Sequence, residues 1–161
     1  MKYADYVRGW SGGLPETVCG LGSRLSYTEV QREWLPLAVK KHGIKSIADV
    51  GAGDLNWMRH IKFDCQYTAY DLVPRSPDII KYDILTDEIP EADCIMVLWV
   101  INHMDDEQAA LAVSKILNSK ARYLLITWRE RYGDLINLPV LDSVQIRFDA
   151  EIRLYNVSNG N

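Results

Sequence analysis

Residues 49–55 read Asp49-Val50-Gly51-Ala52-Gly53-Asp54-Leu55, an acid followed by two glycines with one residue between them. Glycines so spaced let a backbone approach a ligand closely. A helix starting just after them would point its free N–H groups at the same spot. Gly-x-Gly alone also occurs in turns that hold nothing. Asp71 follows Gly51 by about 20 residues, the interval at which an acid meets a ribose diol in nucleotide-binding sheets. Asp83 closes the next apolar run, where a carboxylate can accept from an exocyclic adenine amine. Each aspartate alone is more often a turn residue or a helix cap. Three of them at successive strand ends converge on one crevice.

The same residues discriminate between ligands. A dinucleotide fingerprint needs a third glycine, and that position holds Asn56. Asp49, two residues before Gly51, suits the ammonium end of a methionine moiety better than a pyrophosphate. No Gly-Lys-Ser/Thr occurs, so a Walker-type phosphate loop is absent.

The elements that must position these residues alternate between strand and helix. Residues 47–50, 67–70, 79–82, 94–99 and 123–127 read as short apolar strands, with Asp71 and Asp83 ending the second and third. A short helix is expected over 56–61. A longer one is expected over 105–117, where Asp105 and Gln108 have capping-box spacing and Ala109, Ala112, Val113 and Ile116 share a face. Upstream, Val30, Trp34, Leu37 and Ala38 predict an apolar helix stripe, with Ser26 and Glu29 as a capping box and Gly43 as the stop. Pro36 should kink or split that helix. Such alternation predicts an α/β fold, a parallel sheet with helices on both faces. At the end of the chain, Val144, Ile146 and Phe148 alternate with polar residues, and Ile152, Leu154 and Val157 follow across a turn at Asp149 and Ala150. This predicts a terminal hairpin with one antiparallel strand.

The chain has 161 residues, 48% of them hydrophobic and 25% charged, with a net charge of −4. That length predicts one domain: a loop or lid over 1–25, a helix over 26–43 and a core over 45–157. The composition excludes disordered, collagenous and disulfide-framework chains. The acidic balance argues against wrapping nucleic acid. Cys19, Cys65 and Cys94 are odd in number and lack CxxC spacing, so neither a zinc site nor a disulfide set is expected. The first residues have no apolar signal-peptide region, and the apolar run 94–101 is too short to cross a bilayer. A cytoplasmic protein without a membrane partner is the expectation.

The motifs DVGAGDL, YDL with Asp71, KYDIL with Asp83, and CIMVLWVINHM leading into a helix resemble the class I S-adenosylmethionine-dependent methyltransferases. The resemblance covers roughly residues 45–157, and Asp-x-Gly-x-Gly is its most specific part. GWSGG, GLGSRLSYT, Asn56-Trp57-Met58 and Tyr123-Leu124-Leu125-Ile126-Thr127 are similar to a smaller subgroup with an N-terminal Gly/Ser loop. The resemblance implies a Rossmann-like doubly wound sheet, mostly parallel and seven-stranded, with its last strand antiparallel. It implies S-adenosylmethionine as cofactor, held by Asp49, Gly51, Ala52, Gly53, Asp71, Leu72, Asp83, Ile84 and Leu98. Leu55 stands where the family's first motif usually carries its third glycine, a departure that would shift the methionine end.

The resemblance also places the methyl acceptor near the end of the fourth strand. Methyl transfer is an in-line displacement, so the acceptor must be aligned and any proton it carries removed. His103 is the candidate general base and Asn102 the candidate orienting residue. The competing reading makes His103 a loop residue packed on the next helix. Trp99 either stacks on the acceptor or belongs to the core. Arg129, Glu130 and Arg131 either meet an acidic small substrate or form a solvated cluster. Neither an Asp/Asn-Pro-Pro-aromatic motif nor Pro-Cys occurs, which argues against methylation of nucleic-acid bases. The segment around Gly20, Gly22 and Ser23 reads either as a lid, with Tyr3, Tyr6 and Trp10 beside it, or as a flexible terminus. The function expected is methyl transfer from S-adenosylmethionine to a small molecule or an accessible terminal group. The alternative is a protein that binds the donor to degrade or sense it. An exposed hairpin edge offers a route to a dimer, and nothing in the sequence sets the oligomeric state.

Overall fold

The computed structural model describes residues 16–133 and 135–158; the readings for Tyr3, Tyr6 and Trp10 lie outside them. Among the described residues, two α-helices, α1 (Glu29–Lys41) and α2 (Asp106–Leu117), accompany seven strands. The strands are β1 (Ser46–Val50), β2 (Gln66–Asp71), β3 (Ile79–Lys81), β4 (Cys94–Val97), β5 (Tyr123–Trp128), β6 (Val140–Ile146) and β7 (Ala150–Asn156). They form one sheet in the order β3-β2-β1-β4-β5-β7-β6. The first five run parallel, and β7 runs antiparallel to both β5 and β6. The chain works outward from β1 to β3, then returns to place β4 on the other side of β1. That reversal opens a crevice at the carboxyl ends of β1 and β4.

Every residue of β4 and β5 is buried, which explains why these strands read as continuous apolar runs. Side chains alternate between two cores. Leu35 and Val39 of α1 pack on Ile47, Met96, Leu125 and Leu154. Ala112, Val113 and Ile116 of α2 pack on Ala48, Val50, Ile95, Leu124 and Ile126 on the opposite face. The capping box at α2 forms as its spacing predicts: Gln108 N–H donates to Asp105 Oδ1 at 2.8 Å, and Asp105 N–H donates to Gln108 Oε1 at 3.3 Å.

Several expectations are corrected. The buried face of α1 is Gln31, Leu35, Ala38 and Val39, while Val30 and Leu37 are 45% and 66% exposed. Leu35 and Val39, one turn apart, carry more apolar surface into the sheet than the stripe read around Ala38, so the helix is rotated by about one position. The helix starts at Glu29 with Thr28 as its N-cap, and Ser26 sits in a preceding 3-10 turn (Leu25–Tyr27), so no capping box forms there. Nor is α1 split at Pro36.

The helix expected over 56–61 is only a 3-10 turn, Met58–His60. Asp54 Oδ1 accepts from Asn56 N–H at 3.1 Å, and this local bond competes with helix formation. Leu55, Trp57 and Met58 instead bury themselves against the α1 side of the sheet. The final hairpin turns at 147–149 rather than at 149–150, with Phe148 and Asp149 at φ of 66° and 51°.

Candidate active site

The carboxyl ends of β1, β3 and β4 face a cavity of about 490 Å³, a size ordinary for small-molecule sites. Asp49, Gly51, Ala52, Gly53, Leu72, Asp83, Ile84, Leu98, Asn102 and His103 all line it. Asp71 is the one predicted site residue set behind the wall, only 1% exposed. Its Oδ2 accepts from Gly53 N–H and its Oδ1 from Val73 N–H, each at 2.8 Å. Asp71 therefore fastens the glycine turn to the end of β2.

The turn itself differs from expectation. Gly51 and Ala52 N–H both donate to Tyr70 O, at 2.8 and 3.0 Å. With Gly53 committed to Asp71, three successive N–H groups are spent within the protein, and no helix behind them supplies more. The turn presents its Cα surface to the cavity rather than a row of donors. Gly51, at φ 89°, has no room for a Cβ, which would collide with Val100 Cγ2. Gly53, at φ 67°, would bring a Cβ to 2.8 Å from Cys19 Sγ.

Asp49 is the penultimate residue of β1 and is 2% exposed. Burial pushes its carboxyl up to about 7; the hydrogen bond from Tyr67 Oη, at 2.5 Å, opposes the shift and the nearby Asp71 charge adds to it. A carboxyl in that state regains its charge when a cation settles beside it. Asp83 follows β3, and its Oδ1 accepts from Leu85 N–H at 2.9 Å.

A strap over residues 16–23 forms the cavity wall beside the glycine turn. Thr17 Oγ1 and Val18 N–H donate to Asp54 Oδ2 at 2.7 and 2.9 Å. Asn56 Nδ2 donates to Glu16 Oε1 at 2.9 Å and to Ser23 O at 2.8 Å. Burial, with the Asp54 charge second, pushes the Cys19 thiol up to about 12. In the sequence, Asn56 and Asp54 register only as members of motifs, with no sign of their role in holding the strap. Their partners lie 33 to 40 residues upstream, beyond any local pattern.

On the β4 side, Trp99 lines the cavity at φ 58°, and its N–H donates to Thr127 Oγ1 at 3.1 Å. A 3-10 turn, Ile101–His103, follows. Asn102 Nδ2 lies 3.2 Å from His103 Nε2. Partial burial lowers the His103 pKa, and the Arg131 charge adds to that. Asn102 Oδ1 is sealed from solvent and has no hydrogen-bond partner among the described residues. Arg131 Nη2 donates to Asn102 O at 3.1 Å and so braces this turn, while Glu130 and Arg131 remain exposed, as in a solvated cluster. Tyr82 escapes sequence reasoning. It lines the cavity, and its hydroxyl is buried without a partner among the described residues.

No protein-family model matches this sequence, and no curated protein does either. Solved structures do match. Mitomycin 7-O-methyltransferase superposes with a TM-score of 0.64 at 14% identity, over 82% of this chain and 54% of its own. Human N-acetylserotonin methyltransferase, in complex with S-adenosylmethionine, gives 0.58 at 12% identity, over 80% and 52%. Magnesium protoporphyrin IX methyltransferase from Synechocystis PCC 6803, with bound S-adenosylmethionine, gives 0.59 at 12% identity, over 78% and 77%. The fold is that of the class I S-adenosylmethionine-dependent methyltransferases. The chain spans about half the length of the first two proteins. No helix among the described residues is long and apolar enough to cross a membrane.

Proposed function

We propose that this protein transfers a methyl group from S-adenosylmethionine to a small molecule or an accessible terminal group. The observation that carries the proposal is Asp49: a carboxyl 2% exposed, facing the cavity at the switch point of this fold. A buried acid without a bonded cation is costly, and a ligand ammonium relieves that cost. The other residues fit the same donor. Asp83 offers an acceptor for an adenine amine, and Leu72, Ile84 and Leu98 give apolar walls. Asp71 holds Gly53 and so fixes the shape of the turn against which the donor would lie.

When bound, S-adenosylmethionine supplies a methyl group made electrophilic by its sulfonium. The strap over 16–23 excludes water from that group. Asn102 orients the acceptor, and His103, held neutral by its lowered pKa, takes the acceptor's proton.

Titration calorimetry with S-adenosylmethionine and S-adenosylhomocysteine tests the proposal, with chromatography of the donor after incubation. Both ligands should bind, and the donor should stay intact without an acceptor. Acceptor-free breakdown would move the function to donor degradation. Binding of neither ligand would end the proposal.

A further inference from the structure

The β4 side of the cavity has a character of its own. Phe148 lines the cavity from the β6–β7 turn, and its ring meets Trp99 edge-on, with centroids 5.9 Å apart and planes at 82°. Both residues hold left-handed backbone, φ 66° and 58°. Turns of this kind ordinarily use Gly or Asn, because a bulky side chain there is strained. Phe148 is 42% exposed, so burial in the protein's own core does not repay the strain. Strained positions of this kind gather at ligand sites.

The corner is stiff. Tyr27 stacks on Phe148, with centroids 5.5 Å apart and planes 12° from parallel. The Arg147 guanidinium sits 4.9 Å from the Tyr27 ring centre. The Trp99 backbone is pinned by its amide N–H to Thr127 Oγ1, on buried β5. Two rings at right angles leave a recess in which a third flat ring can stack on one and meet the edge of the other. The polar groups at this end are few. Asn102 Oδ1 is buried and has no partner among the described residues, and His103 is its neighbour. The acids of the cavity belong elsewhere: Asp49 to β1 and Asp83 to β3, on the far side of β1 from β4.

We propose that the acceptor is a flat aromatic ring bearing a hydroxyl, seated in the Trp99–Phe148 corner with its oxygen at Asn102 and His103. This rests on the methyl-transfer reading above and names the substrate class of that site. In the transfer, the hydroxyl oxygen forms the new bond to the methyl carbon. The carbon–sulfur bond breaks with its electron pair left on sulfur, turning the sulfonium into a neutral thioether. The hydroxyl proton passes to the His103 imidazole.

The test uses the whole chain with S-adenosylhomocysteine bound, titrated with a naphthol and with its fully saturated ring analogue. The naphthol should bind about five-fold tighter than the saturated compound, the margin expected for aromatic pairing beyond area burial. Phe148→Leu should erase that preference and Phe148→Tyr restore it, with S-adenosylhomocysteine affinity equal in all three proteins. With S-adenosylmethionine, the naphthol should yield its methyl ether. Equal binding of the two ring compounds, or binding of neither while S-adenosylhomocysteine binds, overturns the aromatic acceptor and leaves methyl transfer standing. Failure of S-adenosylhomocysteine and S-adenosylmethionine alike to bind overturns both.

Discussion

Asp54 and Thr17 are joined across 37 residues of sequence: the Thr17 hydroxyl donates to Asp54 Oδ2 at 2.7 Å, and Val18 N–H donates to the same oxygen at 2.9 Å. The residue just past the second glycine thus holds the strap that walls the cavity. The strap and the glycine turn border one space, so the proposed function couples donor entry and release to that latch.

Removing the latch should loosen the strap without unfolding the sheet. Hydrogen bonds to a charged group contribute roughly 1.5–3 kcal/mol each, so Asp54→Ala should raise the open population by about ten-fold or more. Amide hydrogen exchange over 17–23 should accelerate accordingly, while exchange in β4 and β5 stays slow. Dissociation of S-adenosylmethionine, followed by stopped flow, should quicken by a similar factor. Unchanged exchange in the strap would show that Asp54 is not what holds it.

The ionisation of Asp49 predicts a pH dependence of binding. Its carboxyl is pushed up to about 7, so below that pH it is mostly protonated. An ammonium beside it favours the charged form and drives the proton off. Donor affinity should therefore rise with pH up to about 7 and level off above. Proton release on binding should appear as a buffer-dependent heat in calorimetry below pH 7. Asp49→Asn should weaken binding and flatten the profile.

Stability should run the other way. The folded pKa of Asp49 lies above the ordinary 3.8, so the folded state holds a proton that the unfolded state has lost between about pH 4 and 7. The Asp49 contribution to stability falls as pH rises through that window. Chemical denaturation should show Asp49→Asn gaining a few kcal/mol relative to the parent between pH 5 and pH 8. A difference independent of pH would mean that the carboxyl is charged throughout.

The parts of this fold that are legible in sequence are those governed by near neighbours or by full burial. Strands β1, β4 and β5 announce themselves as apolar runs because both their faces are covered. The α2 helix does so because Asp105 and Gln108 cap each other within one turn. The α1 register is not legible, since Ala38 belongs to both candidate stripes and only the sheet beneath decides between them. Asp71 shows why site residues are harder. Its position at the end of β2 is readable, but its commitment to Gly53 and Val73 depends on how the turn folds back. The strap and the Phe148 corner join segments far apart in sequence, so no spacing rule exposes them.

His103 should be separable from donor binding. Its lowered pKa leaves the ring neutral at pH 7, and the acid limb of turnover should fall below the ordinary histidine value. His103→Gln should reduce kcat by roughly a hundred-fold or more, with S-adenosylmethionine affinity preserved. Full activity in that variant would assign His103 to the structure of the turn alone.

The contact between Gly53 and Cys19 allows strain to be divided into two parts. A Cβ on Gly53 would sit 2.8 Å from Cys19 Sγ, and the backbone there has φ 67°. Gly53→Ala should cost about 2 kcal/mol or more, from the left-handed conformation and the displaced sulfur together. Cys19→Ala removes the sulfur and leaves the backbone angle, so the double variant should recover the steric share only. Denaturation midpoints of the four proteins give the coupling directly. If the double variant is as unstable as the two single changes added together, the strap does not pack against the glycine turn as the structure shows.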